Sequence, residues 1–271
     1  MPVTTTSAGP VWTRRTIGRQ WALWAGWFGL AILFVLSWQV MTANTIWAFV
    51  QDAPRQAADL LDRAWPPRWS YIGGLWKPLW DTINMATLGT LIGTLIAVPT
   101  AFCAAHNTTP SRLTLRPLAL FVIVASRSIN SLIWALLLVA ILGPGILAGI
   151  IAIALRSIGF VGKLLYEAIE EIDESQAEAV RATGASRWQV MDFGIVPQIL
   201  PAFAGITVFR WDINIRESTI LGLVGAGGIG LQLQSSLNVL AWSQVTVIFA
   251  LILGTVILSE WVSSKVRSAI I

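Results

Sequence analysis

Two groups of polar residues stand inside an otherwise apolar chain. The first is Val208–Thr219, which carries Arg210, Asp212, Arg216 and Glu217 with Asn214, Ser218 and Thr219 among them. A guanidinium presents a rigid fork of donors that fits two oxygens of an oxyanion at once. Asp212 and Arg216 are four apart, as are Arg210 and Asn214, so neutralisation along one helix face is equally open. Arg127 and Asn130 interrupt a second apolar run in the same way. Charges placed in such runs are expensive to bury, and they either pair or line a wet pathway. The second group is the loop from Glu167 to Asp192. Glu167, Glu170, Glu171, Asp173, Glu174, Glu178 and Asp192 face only Arg181 and Arg187 there. The spacing predicts two short helices, about 164–172 and 175–183, with Glu178 and Arg181 on one face of the second. Gly184 then permits a turn that other residues resist, and Pro197 and Pro201 mark the start of the next span. A solvated loop and a partner-binding loop both fit this pattern.

No constellation for bond-making chemistry accompanies these groups. His106 is the single histidine and sits at a span end, and Cys103 is the single cysteine, so neither a disulfide nor a metal cluster is available within the chain. Gly225-Ala226-Gly227-Gly228-Ile229-Gly230 spells the dinucleotide-binding fingerprint, but that fingerprint needs a strand before it, a helix after it and an acidic residue about 20 positions on. No charge occurs from Ser218 to Ser259. The glycines therefore predict a close-packed or re-entrant turn. Gly162-Lys163-Leu164 approaches a phosphate-binding loop and fails at the last position. Any energy source must lie in another chain. The formal charge of +4 and pI near 9.8 do not indicate nucleic acid, because the basic residues flank apolar spans and form no stripe.

The elements that must position these residues are membrane helices. Of 271 residues 55% are hydrophobic and only 12% charged, with a mean hydropathy of +0.70; a soluble domain carries about 25% charged residues. Charge is absent from Gln20 to Gln51, Thr82 to Ser111, Ser128 to Leu155 and Ser218 to Ser259. A span needs about 20 apolar residues, and these runs do not alternate as barrel strands would. Six spans are predicted at about 21–41, 82–105, 117–141, 146–165, 198–221 and 240–261, with Gly143-Pro144-Gly145 as a tight hairpin. The first could be a signal peptide, but its apolar run is longer than the usual 7–15 residues and reads better as a retained span. Arg14, Arg15, Arg19, Arg112, Arg116, Lys163, Arg181, Arg187, Lys265 and Arg267 fall on one side, against Arg55, Arg63, Arg68 and Lys77 on the other. Positive-inside bias then places both termini in the cytoplasm. The external segment, about 44–81, would hold an amphipathic helix and a belt of Trp65, Trp69, Trp76 and Trp80. One domain, 1–271, is expected.

Glu178-Ala179, Gly184 and Val196-Pro197 resemble the cytoplasmic EAA loop of ABC-importer permeases. Val180 stands for the second alanine, and Gly194-Ile195-Val196-Pro197 for that pattern's Ile-x-Leu-Pro. Lys163-Leu164-Leu165-Tyr166-Glu167-Ala168-Ile169-Glu170, Arg181-Ala182-Thr183-Gly184-Ala185, Val196-Pro197-Gln198, Arg216-Glu217-Ser218-Thr219 and the run from Gly222 to Gly230 together look like the phosphonate-transport permease family, over about 82–271. The Arg-to-Gly-Gly run is shared with methionine-type permeases.

The resemblance implies an all-α, polytopic membrane protein of the type I, methionine/phosphonate-like permease fold, in a bacterial inner membrane, with no catalysis of its own. It implies a second copy of the chain, two ATPase subunits, an extracytoplasmic binding protein and surrounding lipid as partners. ATP and Mg would be bound by the ATPase, and this chain would hold no cofactor. Glu178, Ala179, Arg181, Gly184 and Ala185 would couple to the ATPase. Arg127, Asn130, Arg210, Asn214, Arg216, Ser218 and Thr219 would line the path. The cargo would be a phosphonate or a related phosphorus oxyanion. Phosphite, hypophosphite, phosphate or a methionine-like solute stay open, as does a passive carrier or channel.

Overall fold

The computed structural model describes residues 3–6, 9–12 and 17–270. They divide into two compact units, Met1–Asp59 and Leu60–Ile271. The first unit begins with an antiparallel hairpin, β1 (Val3–Thr6) and β2 (Gly9–Trp12), in which Val3 is opposite Trp12. Helix α1 (Ile17–Ala43) follows and has no buried residue, as suits a helix whose solvent is lipid. Helix α2 (Trp47–Ala64) also begins in this unit. It sets Trp47, Val50, Ala57 and Leu61 on one face and Asp52, Arg55, Asp59 and Asp62 on the other, the amphipathic helix expected ahead of Pro66.

The second unit consists of helices and the loops between them, with no strand among its described residues. A 3₁₀ turn (Trp69–Gly74) leads into α3 (Trp76–Ala104), followed by α4 (Leu115–Ser128), α5 (Ser131–Leu142) and α6 (Ile146–Glu170). The loop helices are α7 (Glu174–Ala182) and α8 (Arg187–Val190). One π-helical turn, Met191–Ile195, leads into α9 (Val196–Leu221), and another, Gly222–Ala226, leads into α10 (Gly228–Asn238). Helix α11 (Trp242–Ile270) closes the chain. Five stretches are long and apolar enough to cross a membrane: 17–43, 76–104, 146–170, 187–226 and 242–269. The α4–α5 pair passes the same test only when its two bent halves are taken together, as a broken span or a re-entrant loop, so five of the six predicted spans are found and the sixth is broken.

Two local expectations change. The span predicted over 117–141 is not straight: α4 and α5 meet at 87°. The apolar run gives no hint of this, but Asn130 is extended (φ −69°, ψ 145°) and its Oδ1 accepts from Leu132 N at 3.1 Å, capping a new helix. The short helix predicted over 164–172 is the last part of α6, because no breaker separates it from the span above.

Helices α3 and α6 form the central pair, and their contact is made by absent side chains. A Cβ on Gly89 would lie 2.6 Å from Ile153, and one on Gly93 would lie 2.6 Å from Ser157 and 2.8 Å from the Ala154 carbonyl. Small residues let membrane helices approach this closely. The hairpin at Gly143-Pro144-Gly145 has Gly143 at φ +86°, and Gly145 N donates to Gly225 O at 3.0 Å, joining it to the glycine-rich turn.

Candidate functional site

Helix α9 brings its polar residues into the interior, against α3, α6 and α11. Arg210 is 1% exposed, Asp212 4%, and Asn214 and Ser218 are fully buried. Arg210 Nε donates to Ser157 Oγ at 3.0 Å, and Asn214 Nδ2 donates to the same oxygen at 3.0 Å and to Thr90 Oγ1 at 2.7 Å. Arg210 and Asn214 thus do not bond each other; they converge on α6. The Arg210 guanidinium also lies 5.1 Å from the centre of the Phe160 ring, a cation–π arrangement. Trp211 Nε1 donates to Thr87 Oγ1 at 3.0 Å. Asp212 pairs with Arg216 one turn on, as the spacing allowed, and accepts from Ser259 Oγ at 2.7 Å. Asn214 Oδ1 is buried without a partner among the described residues.

Two residues complete this cluster that had no assigned role in the sequence. Glu217 lies between guanidiniums, with Oε2 3.4 Å from Arg210 Nη2 and Oε1 3.5 Å from Arg156 Nε. Arg156 comes from the middle of α6 and donates from Nη1 to Ile129 O at 3.2 Å, at the α4–α5 bend. The only signal for Arg156 was its position after the charge-free run ending at Leu155, inside a predicted span. Of the other predicted path residues, Arg127 and Arg216 are exposed, and Thr219 is half-buried. Asn130 is exposed and serves as the α5 cap. Arg127 ends α4 with its Cγ against Gly159, and it has no ion-pair or hydrogen-bond partner among the described residues.

The second candidate region is the loop. Asp173 N-caps α7, its Oδ1 accepting from Ser175 N at 3.0 Å and Ser175 Oγ at 2.7 Å. These bonds hold the Asp173 carboxyl below the ordinary 3.8, the side-chain bond from Ser175 contributing most. Gln198 of α9 accepts from Asp173 N at 3.0 Å and donates to Gly194 O at 2.6 Å, tying the loop to the next span. At the far end Gly184 takes φ +82°, and Ser186 and Gln189 form a reciprocal capping box for α8. One face of α7 is docked. Ala177 is buried in a cluster with Ala101, Leu165, Ile169, Val190, Ile195 and Ile199, and Val180 and Ala185 pack against it. A Cβ on Gly194 would stand 3.0 Å from Ala177 Cα. The other face is free: Glu178, Ala179 and Arg181 are exposed, and no ion pair joins Glu178 to Arg181 among the described residues. Glu170 secures the neighbouring connection, accepting from His106 N at 2.8 Å and lying 3.4 Å from Arg116 Nη2.

The glycine run is a turn between helices. Gly225, Gly227 and Gly228 have φ of +93°, +87° and +71°, and Ile229 N donates to Thr82 Oγ1 at 2.8 Å. A helix precedes it where a dinucleotide site would have a strand, in keeping with the close-packed turn expected.

Five apolar spans with a bent helix pair, a polar cluster buried between helices and a capped loop helix with one free face define a polytopic helical membrane protein. The chain belongs to a family whose model, described as "Binding-protein-dependent transport system inner membrane component", matches residues 89–264; it is the permease component of an ABC importer. The chain is 40% identical over 210 residues to the phosphite transport system permease protein PtxC of Stutzerimonas stutzeri, covering 78% of this chain and 76% of the relative. It is 38% identical over 232 residues to the phosphate-import permease protein PhnE of Mycolicibacterium smegmatis, covering 83% of this chain and 43% of that one. In fold it is similar to a chain of the inward-facing MetNI methionine ABC transporter, with a TM-score of 0.65 at 20% identity, covering 75% of this chain and 99% of the other. An amino acid ABC transporter chain gives 0.62 at 21% identity, covering 74% and 95%.

Proposed function

We propose that this permease carries a small phosphorus oxyanion across a bacterial inner membrane, phosphonate, phosphite or phosphate being the class. It works as a pair of copies, both termini cytoplasmic, and draws its energy from two separate ATPase subunits that bind ATP and Mg. A binding protein outside selects the cargo. Residues 1–271 act as one permease domain without chemistry of its own. The observation that carries this reading is α7. A nine-residue helix is fixed on one face by Ala177 and Val180, while Glu178, Ala179 and Arg181 stay free on the other. That is the form of a docking handle. The relatives' names support the cargo class, and the exposed guanidiniums of Arg127 and Arg216 suit an oxyanion, with Asn130, Arg210, Asn214, Ser218 and Thr219 beside them along the path.

The handle works only if force on α7 reaches α9. Gly184, Ala185 and the capped α8 supply that stiffness, because each end of α7 is closed by its own hydrogen bonds. The expected outcome of Gly184→Pro or Glu178→Lys in the complex assembled with ATPase and binding protein is loss of substrate-stimulated ATP hydrolysis and uptake together. Wild-type rates in both variants would remove α7 from the coupling path.

A further inference from the structure

The buried cluster is not charge-balanced. Asp212 and Arg216 close on each other, but Arg156 and Arg210 are left with Glu217 alone, and exposed Arg127 stands nearby without a counter-ion among the described residues. The three guanidiniums belong to adjoining segments. Arg127 Cγ lies against Gly159 of α6, Arg156 reaches the carbonyl of Ile129, and Glu217 spans from Arg156 to Arg210. A lipid-embedded cluster with excess positive charge calls for an anion.

The two arginines flanking Glu217 are held differently. Arg210 is sealed at 1% exposure, fixed through Nε to Ser157 Oγ at 3.0 Å and lying over the Phe160 ring. The Arg156 side chain is 30% exposed, and its Nη2 has no partner among the described residues. Its distance to Glu217, 3.5 Å, exceeds the 2.7–2.9 Å or so of a charge-assisted hydrogen bond. Glu217 is therefore gripped firmly by neither guanidinium, and Arg156 is the one with donors to spare.

We propose that Arg156 is the residue of α6 that contacts the transported oxyanion, and that Glu217 is its internal counter-ion, occupying the guanidinium when no anion is present. The proposal rests on the oxyanion-import reading above. An arriving tetrahedral oxyanion takes the Arg156 fork in two-point fashion, and Glu217 falls back on Arg210. When the anion leaves, Glu217 returns. The carboxylate thus keeps an empty path neutral at Arg156 and helps expel the anion. Arg210 is a positioning residue that stays in place throughout.

The test uses the complex with its ATPase and binding protein in proteoliposomes. Uptake of phosphite, methylphosphonate and inorganic phosphate is measured per assembled complex. If the wild type moves none of the three, the cargo reading fails, whatever Arg156 does. If it moves one, Arg156→Gln is expected to raise KM for that anion about tenfold or more. Arg156→Lys keeps the charge toward Glu217 but loses the fork, so KM rises while kcat is retained; an unchanged KM overturns the proposal, and this variant decides the matter if Arg156→Gln does not assemble. Glu217→Gln is expected to lower KM and kcat together, because the anion is held and not displaced; unchanged values for both also overturn it.

Discussion

Arg210 and Arg181 carry the same guanidinium under opposite conditions. Arg210 is sealed inside the helical body with Ser157, Glu217 and the Phe160 ring around it. Arg181 stands on the free face of α7 with no ion-pair partner among the described residues. Both regions interrupt an apolar sequence with charge, yet they spend it differently. In the buried cluster Arg210, Trp211, Asp212, Asn214 and Glu217 of α9 each reach a partner on another helix, so the side chains fix how α3, α6, α9 and α11 meet. In the loop the backbone is fixed by caps and small apolar residues, and the charged side chains are left for something else. Buried charge here specifies the fold, and exposed charge is held ready on a fold specified without it.

That contrast can be broken experimentally. The largest effect should come from Arg210→Leu, which leaves Glu217 with Arg156 alone and strips Ser157 of a donor. Removing one partner of a buried pair costs about 3–5 kcal/mol. Thermal unfolding in detergent should fall sharply, and a variant as stable as the wild type would mean the cluster does not specify the packing. Arg181→Leu, by the same measurement, should leave stability close to unchanged, since exposed charges contribute little. A loss between these two is expected from Gly194→Val, whose Cβ would stand 3.0 Å from Ala177 Cα. Overpacking costs about 1–3 kcal/mol, and the displaced helix α7 should become an easy target for limited proteolysis while the span region holds.

The smallest effect concerns the Asp173 cap. Its carboxyl is depressed below 3.8 by Ser175. A depressed group stabilises the folded loop above its unfolded value and loses that contribution as pH falls through its folded value. Asp173→Ala should therefore speed proteolysis within residues 174–190 modestly at neutral pH. The difference from wild type should vanish below the depressed value, and a gap that persists there would assign the cap to geometry and not to charge.

Five spans, the hairpin at Gly143-Pro144-Gly145 and the elbow at Gly184 were legible in the sequence because each follows from a local property: apolar length, or a residue able to hold positive φ. The free face of α7 was legible too, since Glu178 and Arg181 are three apart on a helix with its own stop signal. What could not be read locally was pairing between helices. Asn214 meets Thr90 across 124 positions, and Glu217 meets Arg156 across a separation of 61. Thr90 and Ser157 look like ordinary small residues of apolar spans until a donor is placed against them. The 87° bend was hidden for a related reason. Asn130 signals a cap only if the chain has already turned, and the Ile129 carbonyl freed by that turn is taken by Arg156, a residue of another helix.

The meeting of α3 and α6 has a mechanical consequence. Gly89 and Gly93 leave no room for even one methyl against Ile153 and Ser157, so the α3 backbone rests directly on those side chains and on the Ile150 and Ala154 carbonyls along that seam. Sliding one helix past the other would drive Cα atoms over the side chains they now nest between. The two must therefore travel as a single strut through any transport cycle. The seams free to open are those where long side chains intervene, and Arg156 sits on the strut facing one of them.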